Sequence, residues 1–158
     1  MRLFGAFAVS LALVASACGD TSATGGCVEI REPEDPASLQ HVLDPDRVVF
    51  QTDPPTSGPH LSGPPVSGRF DAPITAAAQV RALEDGRVVV QYTDAAVGAE
   101  LAALTDDPDV EFVVAPATTL PAPVVATAWT WKLTCSAVDL DRLRAFGAAR
   151  VGDAPGID

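Results

Sequence analysis

The sequence predicts an α+β or α/β domain: a single small mixed β-sheet, two or three flanking helices and a Pro-rich loop region on its N-terminal side. Three observations carry this. Residues 87–92 (Arg-Val-Val-Val-Gln-Tyr) and 110–114 are β-branched runs of strand length. Between them Val97, Leu101 and Leu104 fall at i, i+4 and i+7, one stripe of a helix. Residues 124–135 then alternate, with Trp129, Trp131, Leu133 and Cys135 on one face and Ala128, Thr130, Lys132 and Thr134 on the other, the period of a half-buried strand. Strand, helix, strand, strand, helix is the order of a sheet with helices laid on it.

The chain has 158 residues, enough for one domain. Its start reads as a targeting segment, to be set aside before the fold is considered. Arg2 is followed by an apolar stretch over residues 3–15, broken only by Gly5 and Ser10. At about 13 residues this is short of the ~20 that a spanning helix needs and fits the apolar region of a signal peptide. Residues 14–18, Val-Ala-Ser-Ala-Cys, resemble a lipobox, in which the cysteine sulfur takes a diacylglycerol and its amine becomes the new N-terminus. Residues 1–17 are therefore expected to be a lipoprotein signal peptide and Cys18 the lipidation site, with the protein held on the extracytoplasmic face of the cell membrane. Ala15 stands where Leu is usual, and secretion with cleavage after Ala17 is the alternative. Asp20, two residues after the cysteine, would favour inner-membrane retention in a cell with two membranes.

Residues 18–26, rich in Ser, Thr, Gly and Ala, read as a flexible tether, and residues 27–158 as the single extracytoplasmic domain. The chain has three cysteines. With Cys18 lipidated, Cys27 and Cys135 remain as a pair in an oxidising compartment, where a disulfide is the expected outcome. Closing a loop of that length contributes about 4.7 kcal/mol in the chain-entropy picture. A metal site is the other use of two cysteines, but these lack the close CxxC spacing of one.

Residues 27–30 read as a first strand or extended arm, 32–36 as an acidic loop, and 48–50 (Val-Val-Phe) as a short strand. Residues 54–65, Pro-Pro-Thr-Ser-Gly-Pro-His-Leu-Ser-Gly-Pro-Pro, read as a surface loop, because Pro fixes φ and removes a donor while Gly permits positive φ. Thr93 or Asp94 can cap the helix that follows, and residues 106–109 form a turn. Residues 116–123 connect to the alternating segment. Asp139 then precedes a short amphipathic helix carrying Leu140, Leu143 and Phe146.

The net charge is −11, or −12 once Arg2 leaves with the leader. A nucleic-acid partner calls for a basic stripe, which this composition lacks, and the same holds for a polybasic membrane patch. Membrane contact is expected through the lipid alone, with a protein partner of unknown identity.

The string Pro54-Pro55-Thr56-Ser57-Gly58-Pro59-His60 resembles the signature of domain-of-unknown-function family 3105, found in exported and membrane-anchored bacterial proteins. Residues 80–92, Val114-Ala115-Pro116 and Ala126-Thr127-Ala128-Trp129 follow the family's later blocks in order, and the resemblance covers roughly residues 40–156. The second block holds two histidines in the family, where this chain has Arg81 and Asp85. The resemblance implies that the two blocks meet in space. If the family's imidazoles bind metal, His60, Asp85, Glu84 and His41 are the candidate ligands left here, a reduced site for a copper-like transition metal. The structural alternative is a hydrogen-bonded clasp, which Arg81, a permanent cation, favours over a metal.

No catalytic constellation emerges. Ser57 and His60 lie three apart in a Pro-locked loop, a spacing that does not by itself make a nucleophile–base pair. Glu84 and Asp85 are adjacent, and adjacent side chains usually diverge. Trp129 and Trp131 fit either a stacking platform or the core. The reading is a non-catalytic interaction or structural module with no resident cofactor; the alternative is a metal-handling domain.

Overall fold

The computed structural model describes residues 26–38 and 40–156. The leader and Cys18 lie outside the described residues. The fold is α+β. A six-stranded mixed sheet runs in the order β1-β8-β7-β5-β6-β4, and a two-stranded sheet pairs β2 with β3. The strands are β1 (Cys27–Arg31), β2 (His41–Val42), β3 (His60–Leu61), β4 (Gly68–Arg69), β5 (Val88–Tyr92), β6 (Phe112–Pro116), β7 (Val124–Ala128) and β8 (Trp131–Cys135). The helices are α1 (Ala76–Glu84), α2 (Ala95–Leu101) and α3 (Leu140–Ala148).

One side of the sheet is parallel and the other is antiparallel. β4, β6 and β5 run parallel, with α2 as the crossover from β5 to β6. From β5 outward, β7, β8 and β1 alternate in direction. β5 is buried at every residue, as a strand covered on both faces must be. One face, with Val88, Val90, Phe112, Val114, Leu133 and Cys135, packs under α2 and α3 through Leu101, Leu143 and Phe146. The other, with Val89, Val113 and Trp129, packs under α1 through Val80 and Leu83.

The alternating segment 124–135 is two strands rather than one. It folds back on itself as a hairpin, with Ala128 opposite Trp131 and only Trp129 and Thr130 in the turn. A two-residue loop needs positive φ, and Thr130 supplies it at φ 60°. The reversal puts Trp129 and Trp131 on opposite faces, Trp129 toward α1 and Trp131 toward α3. The sequence shows no Gly or Asn at this turn, so local chemistry gave no sign of it. Tertiary hydrogen bonds hold it instead: Thr130 N–H donates to Thr56 O (2.9 Å), and Thr130 O accepts from Glu32 N–H (2.8 Å).

Residues 48–50 are not a strand, and Val49 is 89% exposed. The first part of the Pro-rich segment, expected at the surface, is inside: residues 54–58 and His60 are buried, while residues 62–64 are exposed as expected. Its polar groups have found partners. Thr56 Oγ1 donates to Glu32 Oε2 (2.8 Å), and Gln79 of α1 donates from Nε2 to Pro55 O (3.0 Å) and to Thr127 Oγ1 (3.1 Å). Lys132, only 4% exposed, reaches Glu32 Oε1 at 2.7 Å and Asp53 O at 3.4 Å. Helix α1 was not read from the sequence, although Thr75 caps it by accepting from Ala78 N–H (3.2 Å) and Gly86 follows at φ 81°.

Cys27 and Cys135 form a disulfide, facing one another in the β1–β8 register and closing 108 residues of chain. Glu29 of the same edge strand is gripped by Arg142 and Arg150. Burial raises its pKa, and the two guanidiniums more than offset this, leaving the carboxyl below its ordinary value.

Packing is tight where α2 crosses Tyr92. A Cβ on Gly98 would lie 2.2 Å from the Tyr92 ring, whereas one on Gly152 would meet nothing within 4 Å. Gly98→Ala should therefore lower the unfolding free energy by about 1–3 kcal/mol in urea titration, with Gly152→Ala nearly neutral. Equal stabilities would contradict this packing.

Candidate functional site

Three elements bring their polar ends to one point. β2 and β3 pair in parallel, with His41 opposite His60. Their rings meet edge to face, with centroids 4.9 Å apart and planes at 84°. His60 N–H donates to Gln40 O (3.0 Å), which ties the two strands together. The last residue of α1, Glu84, completes the group, and α1 packs directly on β3. One ligand atom from each of His41, His60 and Glu84 lies within 4.8 Å of the others.

The Pro-rich segment delivers His60 to this point. Gly58 sits at φ 130°, and a Cβ there would press on the Phe50 ring at 3.1 Å, so the tight approach needs glycine. Ser57 Oγ accepts from Asp35 N–H (2.8 Å), which fixes the loop from its other side. His60 is fully buried. Its Nδ1 lies 3.2 Å from Gly58 O, and its Nε2 lies 2.9 Å from Glu84 Oε2. That second approach is close but out of line for an N–H···O bond, so Nε2 has no aligned hydrogen-bond partner.

Glu84 also faces a guanidinium. Arg81, one turn earlier on α1, places Nη1 3.1 Å from the same Oε2. Its Nε donates to Gly63 O (2.8 Å), and its Nη2 lies 3.7 Å from Asp85 Oδ1. Asp85 thus turns from the imidazoles toward Arg81 and Arg87, the latter also at 3.7 Å. Of the four metal-ligand candidates named from sequence, the structure gathers His41, His60 and Glu84 and leaves Asp85 in the arginine cluster.

The remaining candidates fall elsewhere. Ser57 and His60 do not face each other, because Ser57 serves Asp35 while the His60 nitrogens face Gly58 and Glu84. Trp129 is core, and Trp131 carries the Arg150 guanidinium 3.6 Å from its ring centroid. Sequence reasoning did not foresee that Gln79, Glu32 and Lys132 build the seat for the Pro-rich segment. A lone lysine in an acidic chain, found on a strand, was the available signal.

This is an α+β domain with a mixed sheet, carrying a histidine–carboxylate cluster where a buried Pro-rich segment meets a helix end. The chain belongs to the family described as Protein of unknown function (DUF3105), whose model matches residues 41–156. No curated protein and no solved structure matches it. Strand β1, with Cys27, precedes the matched region.

Burial separates the two imidazoles energetically. Truncating His60 leaves Gly58 O without its partner in a dry site, while His41 is exposed. His60→Ala should cost about 1–3 kcal/mol of stability in urea. His41→Ala should stay within about 0.5 kcal/mol of wild type. Equal losses would show that the buried clasp has no structural weight.

Proposed function

We propose that this chain is an exported lipoprotein, fixed to the extracytoplasmic face of the cell membrane through Cys18, and that its domain is a non-catalytic interaction module. The observation that carries the export reading is the Cys27–Cys135 disulfide, a bond that persists in oxidising compartments and is rare where thiols are kept reduced. The lipobox-like residues 14–18 and the short tether after them supply the anchor.

The position of the disulfide suits a tethered domain. The tether enters the fold at Cys27, the first residue of an edge strand. A force along the tether would peel β1 from β8 one hydrogen bond at a time. The disulfide joins the two strands at the point where that peeling would begin. Arg142 and Arg150 of the α3 region hold Glu29 two residues further along.

A non-catalytic role fits the local chemistry. Ser57, three residues before the buried His60, accepts from the Asp35 backbone amide, and the acidic composition disfavours nucleic acid. The partner of such a module would be another protein at the membrane surface.

Detergent phase separation tests the anchor. Wild type should enter the detergent phase, and Cys18→Ser should either appear in the aqueous phase or accumulate with its leader uncleaved. Processed Cys18→Ser protein that still partitions with detergent would refute lipidation.

A further inference from the structure

We infer that His41, His60 and Glu84 form a binding site for a late transition-metal ion, copper(II) before zinc(II). The inference comes from the site geometry and is independent of how the protein is anchored.

The argument begins with the proton on His60. Gly58 O can only accept, so a hydrogen bond at 3.2 Å places the proton on Nδ1. In the neutral imidazole Nε2 then carries the lone pair. A carbonyl on Nδ1 with Nε2 free is the arrangement that prepares a histidine for a metal, since the outer partner fixes both tautomer and ring orientation.

That lone pair is buried, and 2.9 Å away lies a carboxylate oxygen. Two acceptors at this distance in a dry site repel unless a cation lies between them. A proton on Nε2 would have to point along the ring bisector at Oε2, yet the oxygen lies off the direction a hydrogen bond requires. A metal ion removes the conflict. It sits on the lone pair at about 2.0–2.1 Å and takes the oxygen at a similar distance from the side. Two such bonds to atoms 2.9 Å apart subtend about 90°, less than a tetrahedral angle. Right-angle N,O coordination is the geometry of copper(II), which also heads the affinity order for such donors.

His41 supplies the third donor. It stands opposite His60 in the β2–β3 register, with an atom inside the same 4.8 Å group. It is exposed, so it faces the side from which an ion or its carrier arrives.

Arg81 sets how tightly the site holds. Its guanidinium is 3.1 Å from the oxygen the metal would use. A carboxylate oxygen can accept from both, but two cations on one oxygen repel. Arg81 has Gly63 O and Asp85 to stay with, so it remains beside a bound ion and weakens it. The site is thus built for exchangeable rather than permanent metal.

The test uses the untagged full chain in detergent with its disulfide intact, any free thiol alkylated and metal stripped by a chelator. Copper(II) chloride and zinc(II) chloride are titrated separately. One copper(II) per chain is expected, with electron paramagnetic resonance showing coupling to two imidazole nitrogens. His41→Ala, which leaves the buried clasp intact, should reduce that to one nitrogen and weaken binding at least about tenfold. Glu84→Gln should weaken it as well. Arg81→Gln should tighten it by about tenfold. Failure of wild type to retain copper, or identical spectra and affinities for wild type and His41→Ala, would overturn the site. Unchanged affinity in Arg81→Gln, with the other results as expected, would overturn only the role given to Arg81.

Discussion

Glu32 holds two parts of the molecule at once. One carboxylate oxygen meets the Lys132 ammonium on β8 at 2.7 Å, and the other accepts from Thr56 in the Pro-rich segment at 2.8 Å. Both charged groups are largely shielded from water, and the ammonium also reaches the carbonyl of Asp53. A buried pair of this kind contributes modestly when intact, yet removing one partner strands the other at a loss of about 3–5 kcal/mol. Its weight here is therefore positional. It seats against the sheet a segment of five prolines and two glycines, whose only regular structure is the two-residue strand β3.

The site geometry follows from that seat. Once Thr56 is fixed, its carbonyl accepts from Thr130 and stabilises a hairpin turn that Thr is poorly suited to make. Gly58 then turns the chain under Phe50, and His60 enters the space between β2 and the end of α1. Glu84 meets it from a helix held to the same segment by Gln79. The two histidines and the carboxylate come from positions up to 43 residues apart, brought together by packing and by no local motif. The disulfide joins the edge strand β1 to β8 and lies outside this chain of contacts.

What could be read from sequence divides along the same physical line. The strand at Val88–Tyr92, the helix capped by Asp94, the helix capped by Asp139 and the cysteine pair depend on periodicity, capping and counting, all local or arithmetic signals. The hairpin at Trp129-Thr130 was invisible because alternation runs unbroken through it and the turn is held by a segment some 74 residues away. The burial of residues 54–58 was equally hidden, since a string rich in Pro and Gly looks like a surface loop until Glu32, Gln79 and Thr130 are seen to answer its polar groups. In the site, the meeting of His60 with the α1 end was anticipated through the family resemblance. The choice between Glu84 and Asp85 was not, because it rests on which carboxylate the arginines draw away.

Backbone hydrogen exchange tests the central claim, that the Pro-rich segment is seated as part of the core. Three amides report on it: Thr130 to Thr56 O, Glu32 to Thr130 O, and His60 to Gln40 O. If the seat is integral, these amides open with free energies close to those of the β5 and β7 amides, and Thr130 and Glu32 open together. Rapid exchange at Thr130 and His60 while the strands stay protected would mean that the segment lifts away independently, and the account of how the site is positioned would be wrong.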